Sequence, residues 1–289
     1  MMKAHLKLII AMLIFGSIGL FVRQIPLPSS VIALCRGFSG SIFLLIAAVI
    51  TKMSWNFPSI KRNLPLLIFS GAALGFNWIL FFEAFRYTTV SAATLAYYCA
   101  PVFIVLLSPI LLKESLTLNK IAGIAMAMLG MVLVNGMIQG GADPLKGMLF
   151  GLAAACFYAS VVLMNKFIRD LSSLETTIIQ MIAAAFVLLP YVILTEDIAS
   201  LSLPQGTGLL CLFIVGIVHT GIAYTLYFGS IKELPTQTAA VFSYIDPVSA
   251  LFFASIFLQE WMNGWQWLGA LLILGGAVCM ERKNKNITK

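Results

Sequence analysis

Charged residues are scarce in this sequence. They make up 10% of the 289 residues, whereas 61% of the residues are hydrophobic and the mean hydropathy is +1.00. A soluble domain carries about 25% charged residues, so this chain lacks the polar surface that would keep a body of its size in water. The scarcity excludes a soluble enzyme, a nucleic-acid-binding protein and a disordered chain, and it predicts an all-α integral membrane protein.

The residues that build metal and cofactor sites are also few. The five cysteines all lie in apolar stretches without a Cys-x-x-Cys pair, and the chain has two histidines, one of them near the N-terminus. The sequence contains no His-Glu-x-x-His and no glycine-rich phosphate loop followed by Lys and Ser or Thr. We therefore expect no metal, no cofactor and no ATP-driven transport by this chain.

Long apolar segments are abundant. A membrane-spanning helix uses about 20 apolar residues. Ten candidate segments are separated by Pro, Gly, Asn or charged residues, and they run approximately over 5–22, 30–51, 64–85, 88–112, 119–138, 147–166, 173–194, 207–229, 236–258 and 264–280. The sequence thus predicts ten transmembrane helices.

Basic residues fall mostly on one side of these spans. Of the 18 Lys and Arg residues, fourteen lie on the side of the N-terminus, while Arg23, Arg86 and Lys146 lie on the other and Arg36 lies within a span. Cytoplasmic loops carry the excess of Lys and Arg in membrane proteins. The pattern predicts a multi-pass protein of the cell membrane with both termini cytoplasmic and a basic cytoplasmic tail at 281–289.

The two halves of the chain repeat each other. A shift of 146 residues aligns Tyr98 with Tyr244, Pro101 with Pro247, Leu112 with Leu258, Glu114 with Glu260, Gly123 with Gly269 and Gly130 with Gly276. Each half, 5–138 and 147–280, holds five spans, and an odd number inverts the second half relative to the first. Inverted repeats are typical of secondary transporters, whose substrate site lies near the membrane midplane.

These repeated stretches resemble the drug/metabolite transporter superfamily, specifically its ten-helix EamA-type exporters. The residues that carry the resemblance are Asn77-Trp78 to Phe85-Arg86-Tyr87-Thr88, Ala93, Tyr98, Pro101 and Leu112-Lys113-Glu114 in the first unit, and Tyr244-Ile245-Asp246-Pro247, Leu258-Gln259-Glu260, Gly269 and Gly275-Gly276 in the second. The resemblance implies a secondary transporter, with export as the expected direction. It also implies alternating access and a central cavity lined by the first, third, fourth, sixth, eighth and ninth helices.

Asp246 is the strongest candidate for a functional residue. It lies about ten residues into the ninth span, beside Pro247. A carboxylate near the bilayer centre costs at least about 2.5 kcal/mol, so it faces a wet cavity or a partner. We interpret Asp246 as a cation or proton site, and the alternative is a structural buried carboxyl group. The first half has Ala100 at the aligned position, so the site would be asymmetric.

Three other polar residues lie within spans. His219 could pair with Asp246 or exchange protons, or it could simply hydrogen-bond to backbone. Arg36 and Glu83 have matching depths, which predicts a structural or gating ion pair rather than direct substrate contact.

Aromatic and amide residues complete the predicted substrate site. Asn77 and Phe81 share one face of the third span, Tyr98 and Tyr244 are repeat mates beside the paired prolines, and Tyr158 and Tyr224 lie in the sixth and eighth spans. Their rings could hold an organic cation by cation–π attraction or stack on an aromatic side chain. Ordinary helix packing is the alternative for each ring taken alone.

Two further patterns indicate structure. Glu114 and Glu260 begin the turns after the fourth and ninth spans and are expected to satisfy free N–H groups at a helix N-terminus. Gly71-x-x-x-Gly75 and Gly147-x-x-x-Gly151 predict close helix contacts.

Three functions fit these residues to different degrees. The favoured substrate is an amino acid, with its ammonium on Asp246 and its carboxylate on Arg36 or a helix terminus. A quaternary amine or cationic drug would need only Asp246 and the tyrosines. A remote alternative is an intramembrane serine protease that uses Ser39, within Gly37-Phe38-Ser39-Gly40, and His219. We expect a small-molecule substrate with or without coupled protons, a lipid bilayer, no nucleic acid, and a monomer or homodimer.

Overall fold

The described part of the chain folds into helices. The structure is a computed structural model that describes residues 2–113, 116–135, 141–199, 201–231, 233–234 and 242–281, and all regular structure within these ranges is helical. The helices are α1 (Met2–Gly16), α2 (Ile18–Val22), α3 (Ser29–Ile50), α4 (Phe57–Tyr87), α5 (Val90–Tyr97), α6 (Ala100–Leu111), α7 (Leu118–Asn135), α8 (Pro144–Asn165), α9 (Ser173–Thr195), α10 (Thr207–Phe213), a π-helix (Ile214–Ile222), α11 (Ala223–Ile231), α12 (Ile245–Phe257) and α13 (Gly264–Glu281).

Seven stretches are long and apolar enough to cross a membrane. They are Lys3–Val22, Ser29–Ile50, Phe57–Tyr87, Val90–Leu111, Pro144–Asn165, Ser173–Thr195 and Thr207–Ser230. Three shorter apolar helices, Leu118–Val134, Ile245–Phe257 and Gly264–Cys279, lie where the other predicted segments were placed. Many large apolar side chains on the outside of the helices are exposed, such as Ile50 at 74% and Leu194 at 83%. Such exposure fits a lipid environment, since soluble proteins rarely leave large apolar patches uncovered.

Three of the apolar segments are interrupted. α1 and α2 are separated at Ser17, whose hydroxyl donates to the Ile14 carbonyl at 2.8 Å. α5 ends before Tyr98 and α6 begins at Ala100, with Pro101 in the first turn of α6. Tyr244 precedes α12 in the same way, and Pro247 lies in that helix's first turns. Proline cannot donate a backbone hydrogen bond to the preceding turn, which fits the new helix starts near Pro101 and Pro247.

Glycines allow the helices to pack closely. A Cβ atom built at Gly71 would lie 2.5 Å from the Gln180 carbonyl oxygen on α9, and one at Gly147 would lie 2.6 Å from the Thr88 side chain. Gly75 and Gly151 face Leu188 and Ala96 at similarly short distances. Both predicted pairs of close-contact glycines are therefore confirmed.

Side chains cap several of the helix starts. Asn56 caps α4, Asp143 caps α8, and Ser172 with Glu175 forms a reciprocal capping box at α9. These caps fix where the connecting loops enter the bundle, because they satisfy N–H groups that would otherwise lack partners. Glu114 and the tail from 282 to 289 lie outside the described residues.

Candidate functional site

A central cavity of about 320 Å³ lies among the interrupted helices. Eight of the ten predicted site residues line it: Arg36, Asn77, Phe81, Tyr98, Tyr158, Tyr224, Tyr244 and Asp246. The lining comes from both halves of the chain and from the first, second, third, fourth, sixth, eighth, ninth and tenth predicted spans. The cavity therefore includes the six helices that the resemblance implied, and it adds the second and the tenth.

Asp246 lies at the interruption of the ninth predicted span. It occupies the first turn of α12, where a carboxylate complements the positive end of the helix dipole. The Tyr98 hydroxyl, at the interruption between α5 and α6, donates a hydrogen bond to this carboxylate. The two broken helices, one from each half, thus meet at a single charged group.

The backbone around Asp246 is held by close contact with α1. A Cβ atom at Gly16 would lie 2.1 Å from the Ser249 hydroxyl oxygen and 2.6 Å from the Asp246 carbonyl oxygen. The Ser249 hydroxyl in turn donates to that carbonyl at 2.9 Å. Only a residue without a side chain lets α1 approach α12 this closely, so Gly16 helps to position the carboxylate.

Arg36 is buried, with 6% of its surface exposed, and it also lines the cavity. Its Nε donates to the Thr220 hydroxyl oxygen at 3.0 Å, and its guanidinium carbon lies 4.6 Å from the centre of the Trp78 ring.

The predicted ion pair between Arg36 and Glu83 is absent. Glu83 accepts a hydrogen bond from the Ser29 hydroxyl at 2.6 Å and lies 3.5 Å from the guanidinium of Arg86. The two residues match in the depth predicted from the sequence, but Arg36 bonds to Thr220, whereas Glu83 bonds to Ser29 and Arg86. Among the described residues, no carboxylate forms a salt bridge with Arg36.

His219 does not line the cavity. Its Nε2 is hydrogen-bonded with the Ser17 hydroxyl at 2.9 Å, its Nδ1 lies 3.3 Å from the Ile214 carbonyl oxygen, and its ring packs on Phe21. The predicted alternative of a hydrogen bond to backbone is therefore the observed one. Ser39, the partner that a protease would require, donates to the Cys35 carbonyl at 2.6 Å instead of contacting His219.

Aromatic rings form much of the cavity wall. Phe81 stacks on Tyr97 with 4.4 Å between ring centres, and Tyr97 lies 5.6 Å from the ring of Tyr158. Phe15 and Tyr224 also line the cavity, with 5.3 Å between their ring centres. The amide group of Asn77 is committed to helix packing, since its Nδ2 donates to the Ala154 carbonyl at 2.7 Å.

Five aromatic lining residues were not predicted. They are Phe15, Trp78, Phe85, Tyr97 and Tyr227. Trp78 and Tyr97 each adjoin a residue that was predicted, and an unbroken helix would turn neighbours about 100° apart. The break after Tyr97 is the local signal that brings both Tyr97 and Tyr98 to the cavity.

A second cavity, of about 590 Å³, lies near the ends of α2 and α4. Arg23, Ser29 and Arg86 line it, and Phe85 lines both cavities. Phe85 therefore stands in the wall between the two spaces.

Beside this second cavity, Glu260 joins the two halves of the chain. Its carboxylate accepts hydrogen bonds from Arg23 Nη1 at 2.8 Å and from the backbone N–H groups of Val90 and Ser91 at 3.0 Å each. Arg23 also donates to the Phe85 and Thr88 carbonyl oxygens. Glu260 does cap a helix N-terminus, but the capped helix is α5 of the other half.

Comparison with known proteins shows which family the chain is related to. The EamA-like transporter family matches the chain twice, over residues 2–136 and 145–282. The uncharacterized transporter YxxF of Bacillus subtilis is 31% identical over 281 residues, which cover 94% of this chain and 88% of that protein. A protein of Escherichia coli named "probable amino-acid metabolite efflux pump" is 27% identical over 251 residues, which cover 80% of this chain and 83% of that protein.

A solved structure shares the fold. One crystal structure superposes with a TM-score of 0.65 at 22% sequence identity, covering 96% of both chains. Two family matches together span most of the sequence, and one relative is above 30% identity, which is enough to show the family. The chain belongs to the EamA-like transporter family and is a multi-pass membrane transporter.

Proposed function

We propose that this transporter exports a small amine-bearing metabolite, foremost an amino acid, through a cavity that opens alternately to the two sides of the membrane. The observation that carries the proposal is the position of Asp246, which lines the central cavity at a helix start and has Tyr98 as its hydrogen-bond donor. A carboxylate within a membrane protein needs a countercharge, and a substrate ammonium group supplies one. Relatives named as amino-acid metabolite efflux pumps support both the substrate class and the direction.

For the architecture, we propose ten spans in two inverted five-helix units, 5–138 and 147–280. The two separate family matches support this division. So does the crossing of α7 and α13: a Cβ atom at Gly130 would lie 2.5 Å from the Gly269 carbonyl oxygen, and one at Gly276 would lie 2.6 Å from that of Gly123. The 146-residue shift that exchanges the units converts one contact into the other, as an approximate two-fold axis requires.

For the orientation, we propose that both termini are cytoplasmic and that the protein resides in the plasma membrane. The fourteen basic residues on one side of the predicted spans support this orientation. The end of the molecule that holds Arg23 and Glu260 is then the outer end. The chain acts as a monomer or homodimer in the lipid bilayer, and protons are the candidate coupling ion.

Alternating access requires contacts that form in one state and break in the other. The contact of Arg23 with Glu260 joins the two units above Phe85, which lines both the central cavity and the second, outer cavity. Opening the central cavity to the outside separates these groups. Asp246 meanwhile either holds the substrate amine or carries a proton across.

A quaternary amine or a cationic drug is the second candidate substrate. The rings of Phe81, Tyr97, Tyr158 and Tyr224 favour it, because aromatic faces attract cations without requiring a hydrogen-bond donor on the ligand. Such a substrate uses Asp246 in the same way as an amino acid does.

Transport by purified protein in liposomes tests the proposal. We expect Asp246→Asn to lower export of labelled amino acids at least tenfold, because the substituted amide no longer carries the countercharge. Asp170→Asn is the matched control, since Asp170 is exposed and its carboxylate pairs with Arg62 at the surface. Undiminished transport by a folded Asp246→Asn protein would refute the assignment. Export of a quaternary amine but of no amino acid would select the second candidate.

A further inference from the structure

The central cavity contains a buried cation that lacks an anionic partner. Arg36 is 6% exposed and lines the cavity, and no salt bridge to it occurs within the described ranges. Its predicted partner, Glu83, is bonded to Ser29 instead. A buried charge is costly without a countercharge, so this guanidinium is poised to receive one.

The guanidinium is held from three directions. Its Nε donates to the Thr220 hydroxyl oxygen at 3.0 Å, and the rings of Trp78 and Phe82 lie 4.6 and 5.7 Å from its central carbon. Tyr224 lines the same cavity. None of these neighbours carries a negative charge, so they orient the group without neutralising it.

Thr220 itself is fixed by the π-helix. It is fully buried, and its hydroxyl donates to the Val215 carbonyl oxygen, five residues earlier, at 3.0 Å. The hydroxyl proton is thereby committed to the backbone, which leaves the oxygen free to accept from Arg36. The wider turn of the π-helix, a feature frequent at functional sites, thus sets the position of the guanidinium.

We propose that Arg36 binds the carboxylate of the substrate and that Thr220 is the residue that positions Arg36 for this task. This inference rests on the proposed function and narrows it: the substrate is a zwitterion, with its ammonium at Asp246 and its carboxylate at Arg36. A planar guanidinium matches a carboxylate with two parallel hydrogen bonds. A purely anionic ligand is disfavoured because Asp246 lines the same cavity.

The test compares ligands that differ only in the carboxylate. We would measure thermal stabilisation and competition for transport with phenylalanine against phenethylamine, and with leucine against isoamylamine, after screening the twenty amino acids. Wild-type protein should prefer each amino acid to its amine at least tenfold. Arg36→Met should abolish that preference while amine binding survives.

Two variants of Thr220 separate positioning from structure. Thr220→Val keeps the shape but removes the hydroxyl, and it should reduce the preference about threefold to tenfold. Thr220→Ser keeps the hydroxyl and should restore most of the preference. Arg62→Met, at an exposed arginine, is the control for lost charge and should leave the preference intact.

The outcomes distinguish this inference from the proposed function. Equal binding of amino acids and amines by wild-type protein, an unchanged preference in Arg36→Met, or no binding by any of the twenty amino acids would overturn the role of Arg36. Amine transport that still depends on Asp246 would preserve the transporter proposal in each of those cases. Loss of dependence on Asp246 would instead overturn the proposed site.

Discussion

Glu260 provides the sharpest prediction about the mechanism, because one carboxylate joins the two halves of the chain at the end that we propose to be the outer one. It accepts from Arg23, from two backbone N–H groups of α5 and from the Ser91 hydroxyl at 3.2 Å. Its side chain is 7% exposed, whereas that of Arg23 is 31% exposed. The Glu260 carboxylate is therefore largely shielded from solvent, whereas the Arg23 side chain is partly exposed.

The perturbation is Glu260→Gln. The amide keeps the shape but replaces one accepting oxygen with an NH₂ group, which then faces the N–H groups of Val90 or Ser91. Loss of a hydrogen bond to a charged group costs about 1.5–3 kcal/mol. A cost of about 2 kcal/mol on the state that contains the contact shifts the balance between closed and open outer ends about 30-fold toward open.

Accessibility from the outside measures this shift. Thr94 is buried on α5 and lines the central cavity, so a cysteine there reacts with a membrane-impermeant maleimide only when the outer end opens. In a background without the five natural cysteines, Glu260→Gln should raise the labelling rate of Thr94→Cys about tenfold or more. Thermal melting checks that the protein remains folded.

Glu83→Gln is the matched control, since Glu83 lies near the same end but bonds to Ser29 and Arg86 within its own unit. Its labelling rate should stay near that of wild type. Exchange of the charges, Arg23→Glu with Glu260→Arg, should slow labelling relative to either single reversal, because the ion pair re-forms although the caps do not. Slow labelling in folded Glu260→Gln would refute the view that this contact keeps the outer end shut.

Two further predictions concern the surroundings of Asp246. Gly16→Val should destabilise the protein by about 1–3 kcal/mol through overpacking against Ser249, and it should abolish transport. Gly229→Ala is the control, because open space surrounds Gly229, and it should melt at the same temperature as wild type. Equal melting temperatures for the two variants would contradict the close approach of α1 to α12. Tyr98→Phe removes the donor to the Asp246 carboxylate and should change the KM for export severalfold without unfolding the protein; an unchanged KM and rate would show that this hydrogen bond plays no part in transport.

Much of the fold could be predicted because it depends on local sequence. The lengths of the apolar segments identified the long helices, and glycine spacing identified close contacts such as those of Gly71 and Gly147. The paired Tyr-x-x-Pro stretches, around Tyr98 and Tyr244, were recognised as repeat mates, and the structure adds that a helix begins just after each of these tyrosines. Asp246 could be recognised as a cavity residue because a carboxylate in an apolar span has few other stable environments.

The choice of partners could not be predicted in the same way. Arg36 and Glu83 match in depth, yet Arg36 bonds to Thr220 and Glu83 bonds to Ser29. Sequence gives a residue's position along a helix, whereas a partner is chosen by the rotation of that helix about its axis and by its neighbours. The same limit explains why His219 bonds to Ser17 behind the cavity wall.

The sequence by itself determined that the chain is a helical membrane protein of two related halves whose few intramembrane charges matter. It did so because the cost of burying polar groups in lipid restricts composition segment by segment. Only the tertiary structure decided that Glu260 caps a helix of the opposite unit and that Arg36 faces the cavity without an anionic partner among the residues described. These arrangements depend on contacts between residues 170 and 184 positions apart, and such contacts are fixed by how whole helices pack against one another.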